Sequence, residues 1–296
     1  MRKNRTTTVF LAFFSAIPRK IRRKICIALF LLFYHAAPRR RLIAIHNIKR
    51  AFPGKSMAEI IAIAKGVYRN MAIVAADFFD IPKLTRENMQ ELIEIEGLEH
   101  CRKALEKNKG VLMFGAHFGN WEVGAIALSL ELKPSVVIYR PLDNPLLENL
   151  VTWVRSCTGN IPIAKDFAMR SMLRHLKKND ILGILIDQNV STTEGVFVDF
   201  FGRPACTTIG VALLALHTGA PAIPGCVVRM ADGRYRLVLG DEVELVRTGD
   251  REQDIFVNTQ IFTRIIEDTI RKYPDQWLWV HQRWKTMPIK EASLEM

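Results

Sequence analysis

From residue 110 onward, short apolar runs alternate with longer amphipathic stretches. This alternation is typical of an α/β fold, in which strands and helices follow one another along the chain. The apolar runs predict strands at 111–115, 135–139, 161–163, 181–186, 196–200, 222–229 and 235–239. The stretches between them predict helices at 121–132, 145–157, 166–178, 207–218 and 250–273. We therefore expect a mixed, mostly parallel sheet covered by helices on both faces, to which the segment CVVRMADGRYRLVL adds an antiparallel hairpin.

Residues 56–108 precede this alternation and have a helical pattern. Ser56 is followed three residues later by Glu59, which is the signature of a capping box at the start of a helix. A second amphipathic helix is predicted over 97–110, with Gly110 as its C-terminal cap. We therefore expect this part of the chain to be helical throughout.

The positive charge of the chain is concentrated at its N-terminus. Residues 1–50 contain 13 of the 42 lysines and arginines and no acidic residue. The rest of the chain has 29 basic and 30 acidic residues, so the net charge of +12 is due to the N-terminal segment alone. Such a segment favours an anionic partner, either a membrane surface or an acidic protein.

The N-terminal segment alternates basic clusters at 19–24 and 38–41 with apolar runs at 9–17 and 25–37. The longer run has 13 residues. As a helix it would reach about 20 Å, which is less than the roughly 30 Å of a bilayer's hydrocarbon core. We therefore predict a helix or helical hairpin that lies in the cytoplasmic leaflet of a membrane. The alternatives are a buried N-terminal hairpin, a signal peptide and a basic arm for nucleic acid.

The organisation predicted from these features has two parts. Residues 1–50 form a membrane-association segment, and residues 51–296 form one catalytic domain. The five cysteines include no CxxC pair, and their odd number does not suit a closed disulfide framework. We therefore expect reduced thiols and a cytoplasmic catalytic domain.

The strongest candidate for chemistry lies in GVLMFGAHFGNWEVGAIAL at 110–128. His117 follows a predicted strand, at the edge where open α/β sheets bind ligands. Glu122 lies five residues further on, in the first turn of the next predicted helix, from which its carboxylate is expected to fold back onto the imidazole. It would hold one ring nitrogen as N–H and leave the other free to accept a proton. The spacing alone leaves open a structural role for both residues, as a hydrogen-bonding histidine and a glutamate that favours the helix dipole.

The chain offers no nucleophile of its own. It lacks a GxSxG motif, and none of its cysteines lies in a motif with a histidine. A covalent intermediate on the enzyme therefore has no candidate residue, whereas direct attack by a substrate hydroxyl needs only a base and a group that stabilises the oxyanion. Since no metal-ligand cluster is visible in the sequence either, we expect neither a metal nor a cofactor.

Six blocks in this sequence together resemble a known family. The segment HFGNWE resembles the H-x4-[D/E] signature of the lysophospholipid acyltransferase superfamily, in the form found in the lipid A biosynthesis acyltransferases. Five further blocks match in the same order: NIKRAFP, YRPLDNP, ILIDQN, FVDFFGRPACTTIGVALLALHTGAPAIP and WLWVHQRW. The N-terminal apolar run departs from the family, because it is shorter than the single transmembrane helix expected there.

The resemblance implies roles for several residues. His117 would be the general base and Glu122 its orienting partner. Arg140 would contact a phosphate of either substrate or the developing oxyanion, with an ion pair at a strand end as the alternative. Asn144 would contact substrate or cap the next helix, and the sequence does not separate these roles.

Two further groups of substrate contacts are implied. Asp187 and Gln188 close an apolar run and are expected to line the same edge as His117, with loop bracing as the alternative. Gly202 and Arg203 precede Thr207, and the three residues together suggest a helix N-terminus that binds phosphate. The alternative for these three residues is a plain β-turn with a threonine cap. The tryptophans at 277, 279 and 284 suit either a membrane interface or burial against the sheet.

The resemblance therefore implies an acyltransferase on the cytoplasmic face of a bacterial inner membrane. The donor would be an acyl-acyl carrier protein, and the acceptor a lipid A precursor such as a Kdo-bearing lipid IVA. We expect no nucleic acid partner. The alternatives are an enzyme of the same fold that acts on a glycerophospholipid, an ornithine lipid or a mannosylated inositol lipid, and a nonenzymatic lipid- or nucleic-acid-binding protein.

Overall fold

A computed structural model of the chain describes residues 13–165 and 168–288. The helices are α1 Arg19–Ala36, α2 Pro38–Ala51, α3 Met57–Phe78, α4 Leu98–Glu106, α5 Trp121–Glu131, α6 Pro145–Ser156, α7 Ala168–Lys177, α8 Gly210–Thr218 and α9 Arg251–Lys272. The strands are β1 Ile93–Glu96, β2 Val111–Gly115, β3 Ser135–Tyr139, β4 Ile161–Ala164, β5 Ile181–Leu185, β6 Gly195–Asp199, β7 Pro204–Thr208, β8 Ala222–Arg229 and β9 Tyr235–Leu239.

Seven strands form one sheet in the order β1-β9-β8-β2-β5-β3-β4. Every neighbouring pair in this sheet is parallel except β8 and β9, which are antiparallel. Strands β6 and β7 form a separate antiparallel pair. The predicted α/β fold with a mostly parallel sheet is therefore confirmed, as is the antiparallel hairpin.

Strand β2 lies in the middle of the sheet and shows how both faces are covered. Leu112 and Phe114 belong to one buried apolar cluster, in which the ring centroids of Phe114 and of Phe262 in α9 are 4.6 Å apart. Val111 belongs to a second cluster, together with Val123 of α5. Because successive side chains of a strand point to opposite faces, the two clusters lie on opposite sides of the sheet. His117 follows directly from this buried central strand.

Helix α1 is fixed to the rest of the chain by buried charge. Asp77 of α3 is fully buried, and it accepts hydrogen bonds from Arg19 and Arg23 of α1 and from the Tyr235 hydroxyl. Burial alone would raise the pKa of Asp77, but the two guanidinium groups hold it below its ordinary value. Arg22 is also buried and donates to the carbonyl of Ala76. Helix α1 therefore has a fixed orientation against α3.

No helix within 13–165 and 168–288 is both long enough and apolar enough to cross a bilayer. The predicted run at 25–37 lies almost entirely in α1, and the first four residues of the run at 9–17 lie outside the described residues. Two helices that meet at Ala37 and Pro38 form the predicted N-terminal helical segment. Its attachment to a membrane stays a prediction.

The helical region before residue 110 differs from expectation in its second half. The capping box is confirmed, because the Ser56 hydroxyl accepts from the backbone N–H of Glu59, whose carboxylate accepts from that of Ser56. Strand β1, however, interrupts the region. Helix α4 ends before Gly110, which has φ +72° and leads directly into β2. The prediction of continuous helix missed β1 because this strand is short and its isoleucines alternate with glutamates.

The helix predicted at 207–218 begins later than expected. Residues 204–208 pair with 195–199 as the second strand of a hairpin, and α8 begins only at Gly210. The helix predicted at 166–178 corresponds to α7, and its first two residues lie outside the described ranges. All five cysteines are free in the structure.

Candidate active site

The register of two neighbouring strands brings His117 and Asp187 together. Strands β2 and β5 are parallel, with Gly115 opposite Leu185, so the residues two positions further on also lie opposite each other. The Nδ1 of His117 lies 2.9 Å from Oδ1 of Asp187. The other carboxylate oxygen accepts from the backbone N–H of His117 at 3.0 Å and from the Trp277 indole at 2.7 Å. The carboxylate thus has three donors and a fixed orientation.

The Asp187 carboxylate remains ionised despite its burial, with only 2% of its side chain exposed. Burial acts to raise its pKa, but the His117 imidazole and the hydrogen bonds from Trp277 and the backbone outweigh this and lower the pKa below the ordinary value. An ionised carboxylate only accepts hydrogen bonds, so the contact with Asp187 selects the His117 tautomer that carries its proton on Nδ1. In that tautomer Nε2 of His117 is the unprotonated nitrogen.

The imidazole of His117 is partly accessible. The His117 side chain is 23% exposed, and the Gln188 side-chain nitrogen lies 3.5 Å from its Nε2. The Trp121 ring packs edge-on against the imidazole, with 5.3 Å between ring centroids. Asp187 and Gln188 therefore line the same edge as His117, as predicted. An imidazole held in this way is suited to accept a proton from a hydroxyl.

Glu122 does not hold the imidazole, and the predicted contact between the two side chains is wrong. Its carboxylate accepts from Nε of Arg155 at 2.9 Å and from the Trp121 indole at 3.1 Å. Because α5 begins at Trp121, Glu122 in its first turn is directed towards Arg155 on α6 and away from the turn that carries His117. Burial acts to lower the pKa of Arg155, but the charge of Glu122 outweighs it and raises that pKa. Glu122 thus reaches His117 only through the Trp121 ring.

The structure separates the alternatives for two residues at the end of β3. The Arg140 side chain is 73% exposed and lies 3.3 Å from the carboxylate of Asp143, which is also exposed. Arg140 therefore forms the ion pair at a strand end that was its alternative role, and its exposure leaves it accessible to a ligand as well. The Asn144 side chain accepts from two backbone N–H groups in the first turn of α6, at 3.0 and 3.2 Å. Asn144 therefore caps the helix, which was one of its two predicted roles.

The phosphate-binding helix N-terminus predicted from Gly202, Arg203 and Thr207 is wrong. Gly202 and Arg203 lie in the turn between β6 and β7, where Gly202 has φ +73°, and both are exposed. Thr207 lies within β7, is fully buried, and donates to the carbonyl of Ala205. The reason is the antiparallel pairing of β6 and β7, which uses 204–208 as a strand. Short apolar runs on both sides of the FGR turn, VFV before it and AC after it, were the signal for this hairpin.

Sequence reasoning missed two supports of the site near the C-terminus. Trp277 is 1% exposed and donates to Asp187, so it is buried and does not lie at a membrane interface. Arg283 is also 1% exposed and donates to the carbonyls of Cys206 at 2.8 Å and Gln188 at 3.4 Å. Burial lowers the pKa of Arg283 to about 10. No local motif identifies these contacts, because each joins segments more than 70 residues apart.

A cavity of about 130 Å³ lies between the sheet and α9. Its lining is almost entirely apolar and includes Ala116 and Phe118, the residues on either side of His117. Cys226 of β8 and the isoleucines 265, 266 and 270 of α9 also line it. An apolar cavity of this kind binds hydrocarbon in preference to water.

Comparisons with known proteins agree with the resemblance noted in the sequence. The profile of the family described as bacterial lipid A biosynthesis acyltransferase matches residues 6–286. The chain is 29% identical over 258 residues to a lipid A biosynthesis palmitoleoyltransferase of Escherichia coli (strain K12), covering 86% of this chain and 82% of the relative. It is 31% identical over 197 residues to a lipid A biosynthesis lauroyltransferase of the same organism, covering 66% and 62% respectively. The crystal structure of the 1-acyl-sn-glycerophosphate acyltransferase PlsC from Thermotoga maritima aligns with TM-score 0.40 and 12% identity over 88% of this chain and 99% of that chain.

Proposed function

Because this chain belongs to the bacterial lipid A biosynthesis acyltransferase family, we propose that it transfers a fatty acyl chain from an acyl-acyl carrier protein to a hydroxyl of a lipid A precursor. That it is an acyltransferase of lipid A biosynthesis follows from the family and its named relatives. The donor, the acceptor and the mechanism are the content of the proposal. The single observation that supports it most is the oriented His117–Asp187 pair beside an apolar cavity.

His117 acts as the general base in this proposal. Its Nε2 takes the proton of the acceptor hydroxyl as that oxygen attacks the thioester carbonyl carbon. The carbonyl electron pair moves to oxygen and forms a tetrahedral oxyanion. When the intermediate collapses, the carbon–sulfur bond breaks and the imidazolium returns its proton to the thiolate. The products are an ester and a free thiol, and no covalent enzyme intermediate is formed.

Asp187 takes the role that the sequence assigned to Glu122. Its carboxylate holds Nδ1–H and stabilises the positive charge that His117 acquires during the reaction. Glu122 acts indirectly, because it accepts a hydrogen bond from the indole of Trp121, and that ring packs against the imidazole. The mechanism is therefore a His–Asp pair supported by Glu122, Trp121 and Arg155.

The acyl chain has a place to bind in this arrangement. Ala116 and Phe118 line the cavity and flank His117 in the chain. In this proposal the cavity holds the acyl chain with its carbonyl end towards the imidazole. Alignment of hydroxyl and thioester supplies about 7–11 kcal/mol of the reduction in barrier. Burial of the chain contributes about 0.8 kcal/mol per methylene group to donor binding. Because the thioester is already activated, the main demands on the enzyme are alignment of the reactants, deprotonation of the hydroxyl and stabilisation of the oxyanion.

Helix α1 supports the proposed attachment to the cytoplasmic face of a bacterial inner membrane. Ile21, Ile25, Leu29 and Leu32 are between 47% and 65% exposed, and their spacing of three and four residues places them on one face of the helix. The arginines that bind Asp77 fix the helix to α3 from another side. An exposed apolar stripe with basic neighbours is typical of a helix that lies in the interface plane.

The lipid composition of a deletion strain tests this proposal. We expect mass spectrometry to show lipid A that lacks one acyl chain, restored by the wild-type gene and not by H117A. A change confined to a glycerophospholipid, an ornithine lipid or a mannosylated inositol lipid would contradict the proposed acceptor. Salt-sensitive DNA binding that requires residues 1–50, without acyl transfer, would support the nonenzymatic alternative instead.

A further inference from the structure

The side-chain amide of Gln188 lies beside the reactive nitrogen of His117. Its nitrogen is 3.5 Å from His117 Nε2. Within 13–165 and 168–288 this is the one hydrogen-bond contact of the Gln188 side chain, so its N–H donors are largely unused. Gln188 is partly exposed, whereas its neighbour Asp187 is buried. The amide is therefore positioned to meet a substrate at the point where His117 takes a proton.

The segment that carries Gln188 is rigidly held. The buried guanidinium of Arg283 donates to the Gln188 carbonyl. The next residue, Asn189, donates its backbone N–H to His281 at 2.9 Å, and its side chain exchanges two hydrogen bonds with Thr286. A donor on a segment fixed in this way needs little reorganisation during a reaction, which is the condition under which oxyanion stabilisation is most effective.

We propose that Gln188 donates a hydrogen bond from its amide to the oxyanion of the tetrahedral intermediate. This inference rests on the proposed acyl transfer. The attacking oxygen must lie within hydrogen-bonding distance of His117 Nε2, and the oxyanion is bonded to the same carbon. The amide, which lies next to that nitrogen, therefore faces the region where the negative charge develops. In the free enzyme the amide donates weakly to Nε2; in the intermediate it donates to the oxyanion.

The main alternative role for Gln188 is to hold the acceptor hydroxyl before the reaction. The two roles differ in kinetics. A donor to the oxyanion acts only on the transition state, so its loss lowers kcat and leaves KM unchanged. A group that holds the acceptor contributes equally before and during the reaction, so its loss raises the acceptor KM and leaves kcat unchanged.

The experiment measures kcat and both KM values for Q188M and Q188E in the full chain, with acyl-acyl carrier protein as donor. Methionine keeps the size of the side chain and removes the donor, whereas glutamate also adds negative charge. We expect Q188M to lower kcat by about 100- to 1000-fold, with both KM values within about twofold of wild type. Q188E is expected to be slower still, because it repels the oxyanion. The matched control is Q253M, an exposed glutamine in the first turn of α9.

Three results would overturn the inference. The first is a Q188M kcat near that of the wild type, and the second is a loss confined to the acceptor KM. The third is a Q188M kcat that recovers at another pH because its pH midpoint has moved, which would mean that Gln188 acts through the imidazole. H117A, measured in parallel, separates this inference from the proposed function. If H117A is inactive while Q188M is fully active, only the role of Gln188 fails. If H117A turns over normally, the base assignment fails whatever the result for Gln188.

Discussion

Replacing Asp187 by asparagine changes the protonation state of His117 with little change in shape. Two donors, the backbone N–H of His117 and the Trp277 indole, point at Oδ2 of Asp187. Neither can reverse its direction, so the asparagine carbonyl oxygen must occupy the Oδ2 position. The asparagine NH₂ group then faces Nδ1, which must become the acceptor. The proton moves to Nε2, the nitrogen that the reaction needs unprotonated.

The expected loss in D187N is that of the general base. General-base catalysis contributes about 10²–10⁴ in rate, which corresponds to about 3–5 kcal/mol in activation free energy. The free energy of unfolding should change little, because asparagine still accepts from both fixed donors. D187A, in contrast, leaves both donors without an acceptor and should lower the free energy of unfolding by about 1–3 kcal/mol per buried group.

Two assays test this reasoning. Mass spectrometry of the acylated acceptor gives kcat, and nitrogen NMR of histidine-labelled protein gives the tautomer of His117, assigned by its absence in H117A. We expect Nδ1–H in the wild type and Nε2–H in D187N. The matched control is D241N, whose carboxylate is 94% exposed. A D187N protein with the wild-type tautomer, or with more than about a tenth of the wild-type kcat, would refute the reasoning.

Three further predictions concern the supports of the site and the N-terminal helix. E122Q removes the charge partner of Arg155 and should lower the free energy of unfolding by about 1–3 kcal/mol without moving the pH midpoint of kcat, and a moved midpoint would mean that Glu122 acts on the imidazole directly. Burial lowers the pKa of His281 from 6.5 to about 4, so as the pH falls the unfolded chain takes up the His281 proton before the folded chain does. The contribution of neutral His281 to the free energy of unfolding is therefore fully present above about pH 6.5 and falls towards pH 4 by at most about 3 kcal/mol. Urea unfolding should detect this decrease in the wild type and not in H281Q. The double substitution I25E/L29E should weaken binding to anionic vesicles at least about tenfold, whereas F256E on α9 should not, and equal binding by both would contradict the membrane role of α1.

Much of the fold was predictable because it depends on local pattern. Strands at 111–115, 135–139, 222–229 and 235–239 agree with their predicted bounds, since each is an apolar run ended by turn residues. Strand β7 was missed because two adjacent threonines resemble a helix cap, and its pairing with β6 is not a property of either segment alone. Local pattern thus identified the elements and failed where pairing decided the structure.

The candidate site was predictable in its membership and not in its contacts. The sequence placed His117, Asp187 and Gln188 at one edge, because each follows a predicted strand. It did not reveal that β5 lies next to β2, and this strand order is what pairs Asp187 with His117. Nearness along the chain favoured Glu122, but the direction of α5 turns that carboxylate towards Arg155. The supports from Trp277 and Arg283 depend on tertiary packing alone.

The most direct test of the account is acyl transfer by the purified chain. Wild-type protein and H117A are incubated with an acyl-acyl carrier protein and a Kdo-bearing lipid IVA, and the acceptor is weighed by mass spectrometry. We predict that the wild type adds one acyl chain and that H117A, shown to be folded by its circular dichroism spectrum, adds none above background. Normal turnover by folded H117A, or no transfer to this acceptor by the wild type, would contradict the account.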